Sequence, residues 1–123
     1  MSNPTILVIE DDPASSQLVI QILKSRNVSV ELAVDGVAAL ESLRASTPDL
    51  VILDIALPRV DGWEILNTLS QAQRDVPVIV VTAHGQGSAA ERALSGGANR
   101  FFEKPFIPTE LAAAVDELLP VAD

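Results

Sequence analysis

Cysteine is missing from this chain altogether, and basic residues are scarce. Without cysteine there is no disulfide, no thiolate metal site and no cysteine nucleophile. Eight Lys and Arg stand against seventeen Asp and Glu, a formal net charge of −9. Such a surface repels phosphate backbones, and no cluster of Lys and Arg offsets it, so direct DNA or RNA binding is not expected. The single histidine cannot assemble a metal site unaided. No apolar run approaches the ~18 residues a membrane-spanning helix requires. Met1-Ser2-Asn3-Pro4 also lacks the basic segment and cleavage site of a leader. A soluble, cytoplasmic protein with no membrane association is the expectation. Internal repeats, low-complexity stretches and linkers are lacking as well.

What is present is an apolar content of 48% over 123 residues, enough for one domain with its own core. Five short apolar runs stand out: Thr5–Ile9, Val28–Val34, Leu50–Leu53, Val76–Val81 and Arg100–Glu103. The first, third and fourth are nearly continuous Val, Ile and Leu, the pattern of strands buried on both faces of a parallel sheet. Val28–Val34 alternates instead, through Val28, Val30, Leu32 and Val34, which suits an edge strand.

Helical patterns separate these runs. Asp12-Pro13 reads as an N-cap followed by proline at the first helical position, opening a helix to about Ser25 with Leu18, Val19, Ile22 and Leu23 inward. Asp35-Gly36 opens a second, with Val37, Leu40 and Leu43 inward. Asp61-Gly62 precedes a third carrying Trp63, Leu66 and Leu69; both Asp-Gly pairs read as turns and helix starts rather than sites. A fourth covers about Gly87–Ser95 and stops at Gly96-Gly97. The fifth starts near Pro108-Thr109 and uses Leu111, Val115, Leu118 and Leu119 until Pro120. Five strand–helix alternations with right-handed crossovers give a parallel sheet with helices on both faces.

Ligands of open α/β sheets bind beyond the carboxyl ends of the strands. There the first run ends in Glu10-Asp11-Asp12, the third in Asp54, the fourth in Thr82-Ala83 and the fifth in Lys104-Pro105. This set suits phosphoryl transfer to a carboxylate. Crowded carboxylates raise one another's pKa unless a cation joins them, and an all-oxygen donor set selects a hard ion, best Mg²⁺. A Lys ammonium and a Thr hydroxyl suit the remaining phosphoryl oxygens, with the aspartate as nucleophile.

Val8-Ile9-Glu10-Asp11-Asp12, Val51-Ile52-Leu53-Asp54-Ile55-Ala56-Leu57-Pro58, Asp61-Gly62, Val81-Thr82-Ala83 and Lys104-Pro105-Phe106 together resemble the receiver domains of response regulators, in order and spacing. The resemblance covers essentially the whole chain. It implies a flavodoxin-like α/β fold, a doubly wound five-stranded parallel sheet of order 2-1-3-4-5 with five helices. It makes residues 1–123 one receiver domain without an output domain. Asp54 becomes the phosphoacceptor. Asp11 binds Mg²⁺ directly, Glu10 through water, and the Ala56 main-chain carbonyl completes the protein ligands. Thr82 is the switch hydroxyl, Lys104 the phosphoryl-contacting lysine after which a cis proline follows, and Phe101 the aromatic switch residue. Ala56 and His84 line the path of the hydrolytic water, so they tune the acyl-phosphate lifetime, with Ala56 favouring slow self-hydrolysis.

The implied function is a phosphorelay receiver. It takes the phosphoryl group from a histidine kinase or histidine phosphotransfer protein and signals to a downstream protein target, as a monomer or weak dimer. It is not an enzyme beyond its own phosphorylation and dephosphorylation. Two alternatives stand beside this: a Mg²⁺-dependent aspartyl-phosphate hydrolase, and a receiver-like binding module independent of phosphorylation. Against the first, Ala56 occupies the place of a second aspartate, and little chain remains for a substrate cap. Against the second, Asp11, Asp54, Thr82 and Lys104 are all intact. Candidate contact surfaces are the first helix and the alanine-rich fourth-helix region around Ala89, Ala90 and Ala93.

Overall fold

Runs of Val, Ile and Leu become strands where both faces of the backbone can be covered by helices. In a computed structural model, residues 3–57, 59–72, 75–83 and 88–119 are described. The strands are β1 (Thr5–Ile9), β2 (Ser29–Ala33), β3 (Leu50–Leu53), β4 (Val78–Thr82) and β5 (Arg100–Glu103). They form one parallel sheet in the order β2-β1-β3-β4-β5. Helices α1 (Pro13–Leu23), α2 (Gly36–Ala45), α3 (Gly62–Ala72), α4 (Ala89–Ser95) and α5 (Pro108–Leu118) connect them. This is the expected doubly wound fold, with the expected strand order.

Because side chains alternate across a strand, the sheet sorts its own residues into two apolar clusters. Leu7, Ile9, Val51, Leu53, Val78 and Val80 face α2, α3 and α4, meeting Ala39, Leu43, Ile65, Leu66, Leu69 and Ala93. Ile6, Val8, Leu50, Ile52, Ile79 and Val81 face α1 and α5, meeting Val19, Leu23, Leu111, Ala114 and Val115. The expected single core is thus two half-cores with the backbone sheet between them.

Several boundaries and faces differ from the sequence expectation. β2 is shorter than Val28–Val34, and the apolar residues at its outer end are poorly covered: Ala33, on the opposite face, is buried, while Leu32 is 40% and Val34 54% exposed. As an edge strand it packs Val28 and Val30 against the α1/α5 cluster, and among the described residues the far end of that face is only partly covered. β4 starts at Val78 rather than Val76. Pro77 has no N–H to give to the ladder and only its carbonyl takes part, accepting from Val51 N at 3.0 Å. α1 stops at Leu23, not Ser25, and Leu18 and Val37, expected inward, are exposed. In their helices Ser16 and Ala39 occupy the buried positions instead. α4 starts at Ala89 with Ser88 as its N-cap residue; the expected start, Gly87, lies outside the described residues.

The helix-start signals hold. The Asp12 carboxylate accepts from Ser15 N at 3.1 Å and that of Asp35 from Ala38 N at 2.8 Å. Gly36 and Gly62 do more than turn the chain. A Cβ on Gly62 would lie 2.4 Å from the Ile55 carbonyl oxygen, and one on Gly36 would lie 2.4 Å from Val60 Cβ. Both glycines therefore admit the β3–α3 loop, which leaves directly from Asp54. Among the described residues, no helix is long and apolar enough to cross a membrane.

Candidate functional site

Glu10, Asp54 and Lys104 each stand one position beyond a strand, still held by a backbone bond that continues the ladder, and Asp11 follows Glu10. Glu10 N donates to Ala33 O at 3.0 Å, Asp54 N to Ile9 O at 2.9 Å, and Lys104 N to Thr82 O at 2.9 Å. Parallel strands in register bring these ends to one edge of the sheet, so residues far apart in sequence meet side by side.

The side chains then converge. Lys104 Nζ lies 2.9 Å from Asp54 Oδ2 and forms a second ion pair with Glu10 Oε1. Ala56 N donates to Asp54 Oδ1 at 2.9 Å, and Asp12 N donates to Glu10 Oε2 at 3.3 Å. One carboxylate oxygen from each of Glu10, Asp11 and Asp54 lies within 4.8 Å of the others. Glu10 and Asp54 are buried, Lys104 is half-buried and Asp11 is exposed, which leaves one open side to the cluster. The Lys104–Pro105 bond is cis, as expected.

Electrostatically the two buried carboxylates are unequal. Burial, reinforced by the neighbouring Asp54, pushes Glu10 up to about 7, and the Lys104 ammonium offsets only part of this. Burial acts on Asp54 in the same sense. There, however, hydrogen bonds from Glu10, the Ala56 N–H and Lys104 outweigh it and hold the carboxyl below the usual range. The same two carboxylates overcome burial at Lys104 and raise its pKa. One lysine thus shares its charge between two acids, so Asp54 is ionised while Glu10 keeps a proton at mildly acid pH.

The donor chemistry fits a hard divalent cation. Three carboxylates converge with no sulfur or imidazole among them, and a single ammonium leaves their charge uncompensated.

Of the residues read from the sequence, Glu10, Asp11, Asp54, Ala56 and Lys104 are brought together. Thr82 is buried at the adjacent end of β4, in register with Glu103, and its carbonyl carries the Lys104 N–H. Phe101 is half-buried on β5 opposite Val80, packed against the α2/α3/α4 cluster rather than in the carboxylate group. His84 lies outside the described residues. The sequence reading missed the structural work of Gly62 and Gly36. Their signal was the pair of Asp-Gly steps, which a turn explains equally well.

Residues 6–116 match the response regulator receiver domain family. The response regulator MprA of Mycobacterium sp. (strain KMS) is 40% identical over 114 residues, covering 93% of this chain and 50% of that protein. The chain therefore spans about half the length of the curated relatives it matches. Among solved structures, the receiver domain of the Francisella response regulator 1452 superposes with a TM-score of 0.86 at 28% identity, covering 94% of this chain and 96% of that one. The BeF3-activated receiver domain of DrrB, from Thermotoga maritima, gives 0.87 at 25% identity, covering 94% and 97%.

Proposed function

This chain belongs to the response regulator receiver domain family, and from that premise we propose that Asp54 accepts a phosphoryl group from a phosphohistidine. The observation that carries this reading is the Lys104 ammonium 2.9 Å from an ionised, buried aspartate at the open edge of the sheet. An Asp54 carboxylate oxygen attacks phosphorus, the P–N bond breaks, and the freed imidazole takes up a proton. Lys104 follows the oxygens it already holds, placing fixed positive charge where the phosphoryl oxygens gather. The Ala56 N–H keeps the acceptor carboxylate oriented. Thr82, at the next strand end, donates its hydroxyl to the acyl phosphate. Phe101 then changes its packing with the β5 strand that carries it. Asp11, Asp54 and the Ala56 carbonyl, with Glu10 through water, would hold Mg²⁺, which would supply neutralisation of the phosphoryl oxygens.

The donor is a histidine kinase or histidine phosphotransfer protein. A groove of about 350 Å³ beside Lys104, lined by Ala14, Ser15, Leu18, Pro105 and Phe106, suits an apolar helix presenting its histidine to Asp54. The charged form then signals to a second protein, since an acidic surface disfavours direct contact with nucleic acid. The chain promotes only its own phosphorylation and dephosphorylation.

Incubation with acetyl phosphate and Mg²⁺ tests this. The expected product carries one hydroxylamine-labile phosphate that Asp54→Asn abolishes. Sustained turnover of the donor far beyond one equivalent would point to a hydrolase instead, and no modification to a phosphorylation-independent binding module.

A further inference from the structure

Trp63 and Arg92 stand apart from the carboxylate cluster, yet they join its two flanks. Trp63 is the second residue of α3, and its place is dictated by the loop that leaves Asp54. Gly62 is packed so closely on that loop that a Cβ would meet the Ile55 carbonyl oxygen at 2.4 Å and Ile55 Cα at 2.5 Å. The Asp61 carboxylate accepts the Trp63 N–H at 3.0 Å. Ile55, the residue after the acceptor, is thus in close backbone contact with the residue that precedes Trp63.

The Arg92 guanidinium of α4 lies 4.1 Å from the indole centroid. α4 is lightly held: it has seven residues, its buried side chains are the alanines Ala89 and Ala93, and Ser88 makes no side-chain cap bond. Its C-terminal end is, by contrast, pinned to α3. A Cβ on Gly97 (φ 113°) would lie 2.8 Å from Ser70 Oγ, and one on Gly96 would lie 3.2 Å from Leu66 Cδ2. α4 thus has a fixed end at the glycines and a restraint further back, where Arg92 covers Trp63. A guanidinium over an indole is among the stronger cation–π pairs. Among the described residues it adds to the two alanine methyls in holding that part of the helix.

The geometry points to the Arg92–Trp63 stack as the tie through which the state of Asp54 sets the attachment of α4. The inference rests on Asp54 being the phosphoryl acceptor. In the unmodified chain the stack is closed. A phosphoryl group on Asp54 adds bulk and charge beside the Ala56 N–H, the contact between Ile55 and Gly62 readjusts, and the indole shifts under Arg92. The first half of α4 is then released about its glycine end.

Two measurements on the full chain decide it. In the unmodified protein, Arg92→Leu and Trp63→Phe each speed hydrogen exchange of the α4 amides by about 2- to 30-fold, and the double variant is no faster than the faster single one. After acetyl phosphate and Mg²⁺, intact mass shows one added phosphoryl group in both wild type and Arg92→Leu. The emission of Trp63, the sole tryptophan, shifts only in the wild type, and wild-type α4 exchange rises toward the Arg92→Leu rate. Additive effects of the two substitutions overturn the stack as a unit. Phosphorylated wild type with unchanged emission and unchanged α4 exchange overturns the coupling while leaving the acceptor reading intact. Absence of any mass gain removes the acceptor reading and the coupling with it.

Discussion

Glu10 and Asp54 differ in pKa because one ammonium serves two buried acids, and this imbalance has a measurable sign. Glu10 is raised to about 7 in the folded chain against 4.5 for the free group. The folded state therefore gains from the protonated form. That gain is fully present below about pH 4.5 and is lost as pH rises through about 7. Asp54, lowered, contributes in the opposite sense and loses its share only in stronger acid. In metal-free buffer the thermal midpoint should fall between about pH 5 and about pH 8, by at most about 3 kcal/mol of stability, and Glu10→Gln should flatten the profile. A wild-type profile that is flat over this window would count against the inequality. A second prediction concerns Ala56, which offers no side-chain group to a water near the acceptor. Ala56→Asn should shorten the acyl-phosphate lifetime about tenfold, the worth of one well-placed hydrogen bond in a transition state; an unchanged decay of hydroxylamine-labile phosphate rules this out. At this scale the site was legible: polar residues immediately after apolar runs named Glu10, Asp11, Asp54 and Lys104. Which acid keeps the proton was not, because that depends on burial and on how Lys104 divides itself.

Elements carry the site by their ends, so the segments around Asp54 should be sensitive to small changes in bulk. Gly62→Ala drives a methyl onto the Ile55 backbone at 2.4 Å. It should cost about 1–3 kcal/mol, read from urea midpoints, and should also reduce phosphorylation by acetyl phosphate. Asp35→Ala removes the α2 cap to Ala38 N and should cost about 1 kcal/mol with phosphorylation unchanged. Equal loss of phosphorylation in both variants would argue that general instability, not the loop, is responsible. Strands β1 and β3 were readable to the residue because continuous Val, Ile and Leu leave no choice of face. β2 was not: its alternation looked like an amphipathic strand, but an edge position beside small Ala33 leaves Leu32 and Val34 uncovered. Likewise Trp63 read as a packed helix residue, and its Arg92 neighbour follows only from the packing of α4 on α3.

For the molecule as a whole, an acidic chain with its densest charge at one edge should respond to divalent cations specifically. Mg²⁺ should raise the unfolding midpoint by about 1.4 kcal/mol per tenfold excess over its dissociation constant. NaCl of matched ionic strength should not reproduce this, and Asp11→Ala should lose it; equal stabilisation by both salts would mean simple screening. The division of the apolar interior by the sheet has a different outcome. Since, among the described residues, the buried side chains behind α3 and those behind α1 form separate clusters, each layer should tolerate rewriting on its own. Two libraries of interior variants, each selected on one side of the partition, could be spliced into one gene and still yield folded chains, with only the carboxylate rim left common to both.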